Sequence, residues 1–267
     1  MGSNQYHTRA GTAPAPSSGP DLLSQARQQV LGLSSKQRLR LARGSSTSPQ
    51  VLAQLAYDED VAVRLAVANH LGATPHVLAQ LAQDRSEEVR LVVAQNSNTA
   101  AQVLQLLARD WDTGVRVRVA QNPNTPVEMV VQLAEEADDA VRWGAAHNPN
   151  IPPQVLEQLA YDEDESVRGW LAGDSRTLPE QLARLAGDES ASVRGGVAGN
   201  SSTPPRALEG LAYDEDWVVR RRVAQNPRTP PEVLVQLAGD AEIRVREAAL
   251  GHSSLPLEYR VLHRVAR

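Results

Sequence analysis

Residues 229–250 read TPPEVLVQLAGDAEIRVREAAL, and residues 219–230, which lead into them, read VRRRVAQNPRTP. Together they hold two short helical patterns with their own punctuation. Thr229-Pro230-Pro231-Glu232 reads as a helix start: Thr to cap orphan N–H groups, Pro for the first turn, and Glu three residues on to complete a capping box. Leu234, Leu237 and Ala238 then show the i, i+3, i+4 spacing of one buried face. In the preceding helix Val219 and Val223 lie four apart with Ala224 beside them, after an Asp216 cap. Asn226-Pro227 stops that helix, because the residue before Pro is pushed out of the helical region.

Working outward, the same pattern recurs every 26 residues. Val-Arg pairs end at Arg64, Arg90, Arg116, Arg142, Arg168, Arg194, Arg220 and Arg246. Nine residues before each Arg stands a Leu followed by Ala, from Leu55 to Leu237. Six before it stands Asp58, Asp84, Asp110, Asp162, Asp188, Asp214 or Asp240, with Glu136 in the remaining copy. Thr with Gln or Glu in capping-box register returns at Thr47/Gln50, Thr99/Gln102, Thr125/Glu128 and Thr177/Glu180. Eight units fill 47–254. Each predicted helix has only about eight or nine residues, short of the ~12–15 an isolated helix needs in water. Stability must therefore come from stacking unit on unit. The expected fold is an all-α solenoid of eight two-helix repeats, α plus a short α or 3₁₀ helix, with degenerate end caps. Residues 21–46 read as a degenerate N-terminal capping repeat, with Arg38, Leu41 and Ala42 on register. Residues 255–267 read as a C-terminal capping helix, and 1–20, rich in Gly, Ser, Pro, Ala and Thr, as a disordered arm.

Composition agrees. Of 267 residues 41% are apolar but only 3% aromatic, with no Phe, so the core must be thin layers of Leu, Val and Ala. No apolar run approaches the ~18 residues of a membrane span, and the first 20 residues hold no signal-like apolar stretch, so a cytoplasmic protein is expected. The absence of Cys excludes disulfides, thiolate catalysis and Cys-held metal or iron–sulfur sites. Lys36 is the single Lys, which reads as the codon bias of a GC-rich genome.

The stretches at 219–230 and 229–250 resemble the leucine-rich repeat variant family, and the resemblance extends over 47–254, about four fifths of the chain. It implies alternating α- and 3₁₀-helices in a right-handed superhelix, and little about function. The iron–sulfur cluster of some relatives needs Cys and cannot carry over. The Asp…Val-Arg pattern is also similar to HEAT-like repeats, which implies protein recognition and, less often, DNA recognition.

The most repeated polar feature pairs Asp58 with Arg64, Asp84 with Arg90, Asp110 with Arg116, Asp162 with Arg168, Asp188 with Arg194, Asp214 with Arg220 and Asp240 with Arg246. An active site is not copied eight times in a row. A structural ladder is expected, in which the Arg fork holds carboxylate and loop carbonyls. Asn96, Asn122, Asn148, Asn200 and Asn226 are expected to satisfy turn backbone. Tyr57, Tyr161 and Tyr213 read as loop packing, and the Asp-Glu-Asp triplets at 58–60, 162–164 and 214–216 as caps, since they lack the Gly and terminal Glu of a calcium loop. No metal site or cofactor is expected.

Function is sought where the frame is constant and the residue varies. The position after each ruler Arg lies about 200° from the buried Val and is expected to face outward. Along the array it reads Leu65, Leu91, Val117, Trp143, Gly169, Gly195, Arg221 and Glu247. The next position reads Ala66, Val92, Arg118, Gly144, Trp170, Gly196, Arg222 and Ala248. Two readings stay open: an inner layer buried on both sides, where Gly relieves crowding, or a partner-binding groove lined by Leu65, Leu91, Val117, Trp143, Trp170, Arg221 and Arg222. Trp and Arg are the side chains most enriched in binding hot spots. Charge discriminates further: the eight units hold 18 basic and 30 acidic groups, which repels nucleic acid. A non-enzymatic protein- or peptide-binding scaffold is therefore expected. The alternative is DNA binding or a HEAT-like repair protein, kept open by the strip Arg220, Arg221, Arg222 and Arg228.

Overall fold

The computed structural model describes residues 22–259. These form eighteen complete α-helices, the start of a further helical stretch at 257–259, and no strand. A lead-in pair, α1 (Leu22–Val30) and α2 (Ser35–Ala42), precedes the units. The first four units supply α3 (Pro49–Leu55) and α4 (Val61–Ala68), α5 (Pro75–Leu81) and α6 (Glu87–Gln95), α7 (Ala101–Leu107) and α8 (Thr113–Gln121), α9 (Val127–Leu133) and α10 (Asp139–Ala146). The last four supply α11 (Pro153–Leu159) and α12 (Glu165–Gly173), α13 (Pro179–Leu185) and α14 (Ala191–Gly199), α15 (Pro205–Leu211) and α16 (Trp217–Gln225), α17 (Pro231–Leu237) and α18 (Ile243–Gly251). Both helices of every unit are α-helical; the 3₁₀ option is not used. The expected arm at 1–20 lies outside the described residues, and of 255–267 only the part up to Tyr259 lies within them.

One apolar core runs the length of the array. Each first helix contributes a pattern such as Val51, Leu52 and Leu55, and each second helix one such as Val63, Val67 and Ala68, all essentially inaccessible to water. Consecutive second helices pack closely on one another, most closely α8 on α10 and α12 on α14, whereas consecutive first helices from α3 onward stand further apart. The array therefore curves with its second helices on the inside.

Three polar systems tie unit to unit. At the turn between the two helices of a unit, Arg64 Nε and Nη2 donate to Asp84 Oδ2 and Oδ1 at 2.6 and 3.0 Å, while Nη1 donates to the Asp58 carbonyl at 2.7 Å. The ladder thus pairs each Arg with the carboxylate of the following unit, twenty residues on, rather than with the Asp six residues before it. Rungs run from Arg38–Asp58 through Arg90–Asp110, Arg116–Glu136, Arg142–Asp162, Arg168–Asp188 and Arg194–Asp214 to Arg220–Asp240. Among the described residues Arg246 bonds the carbonyls of Asp240 and Ala241 alone.

On the opposite edge the Asn amides do more than satisfy their own turns. Asn122 Nδ2 donates to Ala94 O and Asn96 O, Asn148 Nδ2 to Ala120 O and Asn122 O, and Asn226 Nδ2 to Ala198 O and Asn200 O. Thr is the third device, and here the capping-box expectation fails. Thr99 Oγ1 donates to Val93 O at 2.6 Å, and Thr125, Thr177, Thr203 and Thr229 make the equivalent bond back to the preceding helix. The N-cap of the first helix falls one residue later, at Ala100, Pro126, Leu178 or Pro230. The Asp caps of the second helices do form: Asp60 accepts from Ala62 N and Asp216 from Val218 N.

Candidate binding face on the second helices

On a second helix the water-free arc spans four positions, for example Val63, Arg64, Val67 and Ala68. Its centre lies between Arg64 and Val67, so the crest facing away from the core falls two residues before and five after the ruler Arg. That crest reads Ala62 and Asn69, Glu88 and Gln95, Gly114 and Gln121, Ala140 and His147, Ser166 and Gly173, Ser192 and Gly199, Val218 and Gln225, Arg244 and Gly251. The residues singled out from the sequence flank this crest, in the seams between neighbouring second helices. Leu65, Leu91, Val117, Trp143, Trp170 and Arg221 are half-buried there, and Arg222 is exposed. Leu65 and Val92, with Ala42, Ala66, Leu71 and Gly72, line an open, mostly apolar cleft of about 660 Å³ over α2, α4 and α6.

The seam explains two of the glycines. A Cβ on Gly144 would stand 3.1 Å from Val117 O, and one on Gly196 only 2.8 Å from Ala172 Cβ, so α10 and α14 can approach α8 and α12 only with Gly there. A Cβ on Gly195 would meet Arg222 Nη1 at 3.2 Å, because the Arg222 side chain lies across α14. Gly169 and Gly173 have no such reason: Gly169 is in ordinary contact with Val193, and Gly173 has nothing within 4 Å. They floor a shallow cleft walled by Trp170, Asp174 and Arg176.

The structure brings Trp143 and Trp170 together through a residue the sequence reading passed over. His147 lies between them, its ring centroid 3.9 Å from Trp143 and 4.1 Å from Trp170. Its Nδ1 is 2.8 Å from the Trp143 carbonyl and donates to it. Burial pushes the imidazole below its ordinary pKa, Arg176 adds to that, and the Trp143 carbonyl and Asp174 act against it. The signal was present: His147 is four residues after Trp143, hence on the same face.

Arg176 closes the stack, its guanidinium 5.3 Å from the Trp170 ring centroid. It also mends the Asn ladder, which breaks at Asp174, a residue with no side-chain N–H. Arg176 Nη1 donates to Asn148 O at 2.8 Å and Nη2 to Ala146 O at 3.0 Å, the two carbonyls an Asn at 174 would serve, while Nε holds Asp174 Oδ2 at 2.9 Å. Elsewhere, Tyr57, Tyr161 and Tyr213 do not pack into their loops but stand exposed, Tyr161 with the Arg184 guanidinium 3.8 Å above its ring. Arg221 and Arg222 share one end of the face and do not touch the tryptophans; no carboxylate pairs with either among the described residues.

The sequence profile of the leucine rich repeat variant family matches residues 139–164 and 217–242, two windows that stand three whole periods apart and fall on the same phase of the unit. Those two windows are leucine-rich repeat variant repeats, and the other units share their spacing. The solved structure described as a leucine-rich repeat variant with a novel repetitive protein structural motif is similar over 79% of this chain and 84% of its own, at 29% identity and a TM-score of 0.62. An engineered protein is similar over 85% of this chain and 87% of its own, at 16% identity and a TM-score of 0.43. No curated protein matches. Among the described residues no helix is long and apolar enough to cross a membrane.

Proposed function

We propose that this leucine-rich repeat variant array is a non-enzymatic, cytoplasmic scaffold that binds a protein or peptide across its second helices. The observation that carries this is the Trp143–His147–Trp170 stack. In a chain whose core is made almost wholly of Leu, Val and Ala, three rings are gathered half out in the seam between two helices. Leu65, Leu91 and Val117 continue the apolar line toward the N-terminal end, and Arg221 and Arg222 lie toward the other. Large, rigid side chains at a half-exposed site supply contact area at low entropic cost.

Photo-crosslinkers placed at Gln95, Gln121 and Gln225 on the second-helix side, and at Gln158 and Glu209 on first helices, test it in native-host extract. The proposal expects adducts to a protein from the first set, lost in a Trp143→Ala/Trp170→Ala variant. Adducts from the first-helix positions alone, or none at all, refute it.

A further inference from the structure

The charge on the second-helix face runs against that of the molecule. On the crest and seams of the eight units stand Arg118, Arg221, Arg222 and Arg244 against Glu88 and Glu247, while the rest of those units holds twice as many acidic as basic groups. Lys36, Arg40 and Arg43 extend the basic set onto the equivalent face of α2. Among the described residues none of these seven cations is paired with a carboxylate, whereas every ladder arginine from Arg38 to Arg220 is. Among the described residues Arg118 reaches only Gln121, and Arg244 only the Trp217 ring.

Resting on the scaffold reading, we propose that the occupant of this face is an acidic segment of a partner polypeptide. Its carboxylates meet Arg221 and Arg222, and its apolar side chains lie on Trp143 and Trp170. Arg222 is laid over Gly195, which places its guanidinium on this face. Between the arginines and the tryptophans the helices are bare at Gly169, Gly173 and Gly199, so a peptide backbone can come close to them. Single-stranded nucleic acid suits the face less well. A phosphate backbone wants cations along its whole track, and the crest from Ala140 to Gly199 bears no arginine or lysine.

The test is selection of a phage-displayed library of random peptides on the full chain. Fluorescence anisotropy of the synthetic winners follows, at ~0.15 M salt. The proposal expects net-acidic sequences with apolar residues, bound at least about tenfold more weakly by an Arg221→Glu/Arg222→Glu variant whose dichroism is unchanged. Neutral or basic winners that still depend on Trp143 and Trp170 overturn the acidic partner and leave the scaffold standing. No enrichment on the wild type over the Trp143→Ala/Trp170→Ala variant overturns both. An oligodeoxythymidylate that displaces an acidic winner at the same salt overturns the proposal in favour of nucleic acid.

Discussion

Replacing Arg168 by Ala tests which carboxylate the ladder arginine serves. Arg168 Nε and Nη2 hold Asp188 at 2.7 and 3.0 Å, and Nη1 holds the carbonyls of Asp162 and Glu163 at 2.8 and 2.9 Å. The two side chains are only 9% and 6% exposed. Truncation leaves the Asp188 carboxylate with the Ser190 N–H as its one remaining hydrogen-bond partner and Arg184 as the cation still acting on it. Removing one member of a buried pair costs about 3–5 kcal/mol. Arg246→Ala removes the same atoms from the last unit, where among the described residues only two carbonyl bonds are lost, at a cost of about 1–2 kcal/mol. Urea unfolding of both variants should separate them by about 2 kcal/mol at matched m-values, the check that both still melt cooperatively. A double-mutant cycle sharpens the point. Arg168 with Asp188 should couple by about 2 kcal/mol, and Arg168 with Asp162, six residues before it, by under about 0.5 kcal/mol. If Arg246→Ala costs as much as Arg168→Ala, or the larger coupling is with Asp162, the inter-unit ladder is wrong.

Other outcomes follow from the same contacts. Arg176→Ala should cost about 1–2 kcal/mol in urea unfolding, and Asp174→Asn added to it should restore most of the loss, because an amide then fills the gap in the Asn ladder. Gly196→Ala should cost about 1–3 kcal/mol from the contact with Ala172, whereas Gly173→Ala, with open space around it, should gain about 0.5–1 kcal/mol. Burial alone would raise the carboxyls of Asp84, Asp110, Asp188 and Asp214, but the arginine bonds outweigh it and hold them below the ordinary value. Their contribution is therefore complete above pH ~4 and is lost as pH falls through the depressed folded values, which acid unfolding followed by dichroism will show. His147 is held neutral in the fold, so its contribution is present above pH ~6.5 and lost as pH falls. Tryptophan emission should titrate below that point and lose the transition in His147→Gln.

The period of 26 was legible because one solution to burying a short helix is repeated, and each repeat needs Leu, Val and Ala at the same places. The ladder was legible in residue type but not in partner. An Arg six residues after one Asp is twenty before the next, and in a period of 26 both spacings recur equally well. Only the stacking of units chooses between them. Thr229 was misread for a different reason. Pro230 and Pro231 move the helix start one residue on, and the freed hydroxyl turns back to Val223 O. The outward face of the second helices lies away from the position opposite the buried Val alone. Arg64, Arg90, Arg142 and Arg168 are themselves buried and the other ruler arginines half-buried, which shifts the centre of the arc and moves the crest to Asn69, His147 and Gly173.

That displacement bears on how such an array can acquire a function. Core and ladders claim the ruler Arg, its preceding Val, the Asp, the Asn and the Thr of each unit, and a change at any of them is felt by the neighbour. The crest and seam positions are claimed by none of the three polar systems, apart from the mended break at Asp174 and Arg176. They can therefore diverge from unit to unit without unstacking the array, and they do: apolar near α4, aromatic at α10 and α12, bare at α14, basic at α16. Gly169 and Gly173 make the argument acute. Glycine in a helix gives up about 1 kcal/mol relative to alanine, and neither position has a packing contact that requires it. On the proposed function, what they provide is room at the surface beside Trp170. Alanine at both should then stabilise the fold while weakening the bound peptide, two effects of opposite sign that a purely structural role for these glycines does not produce.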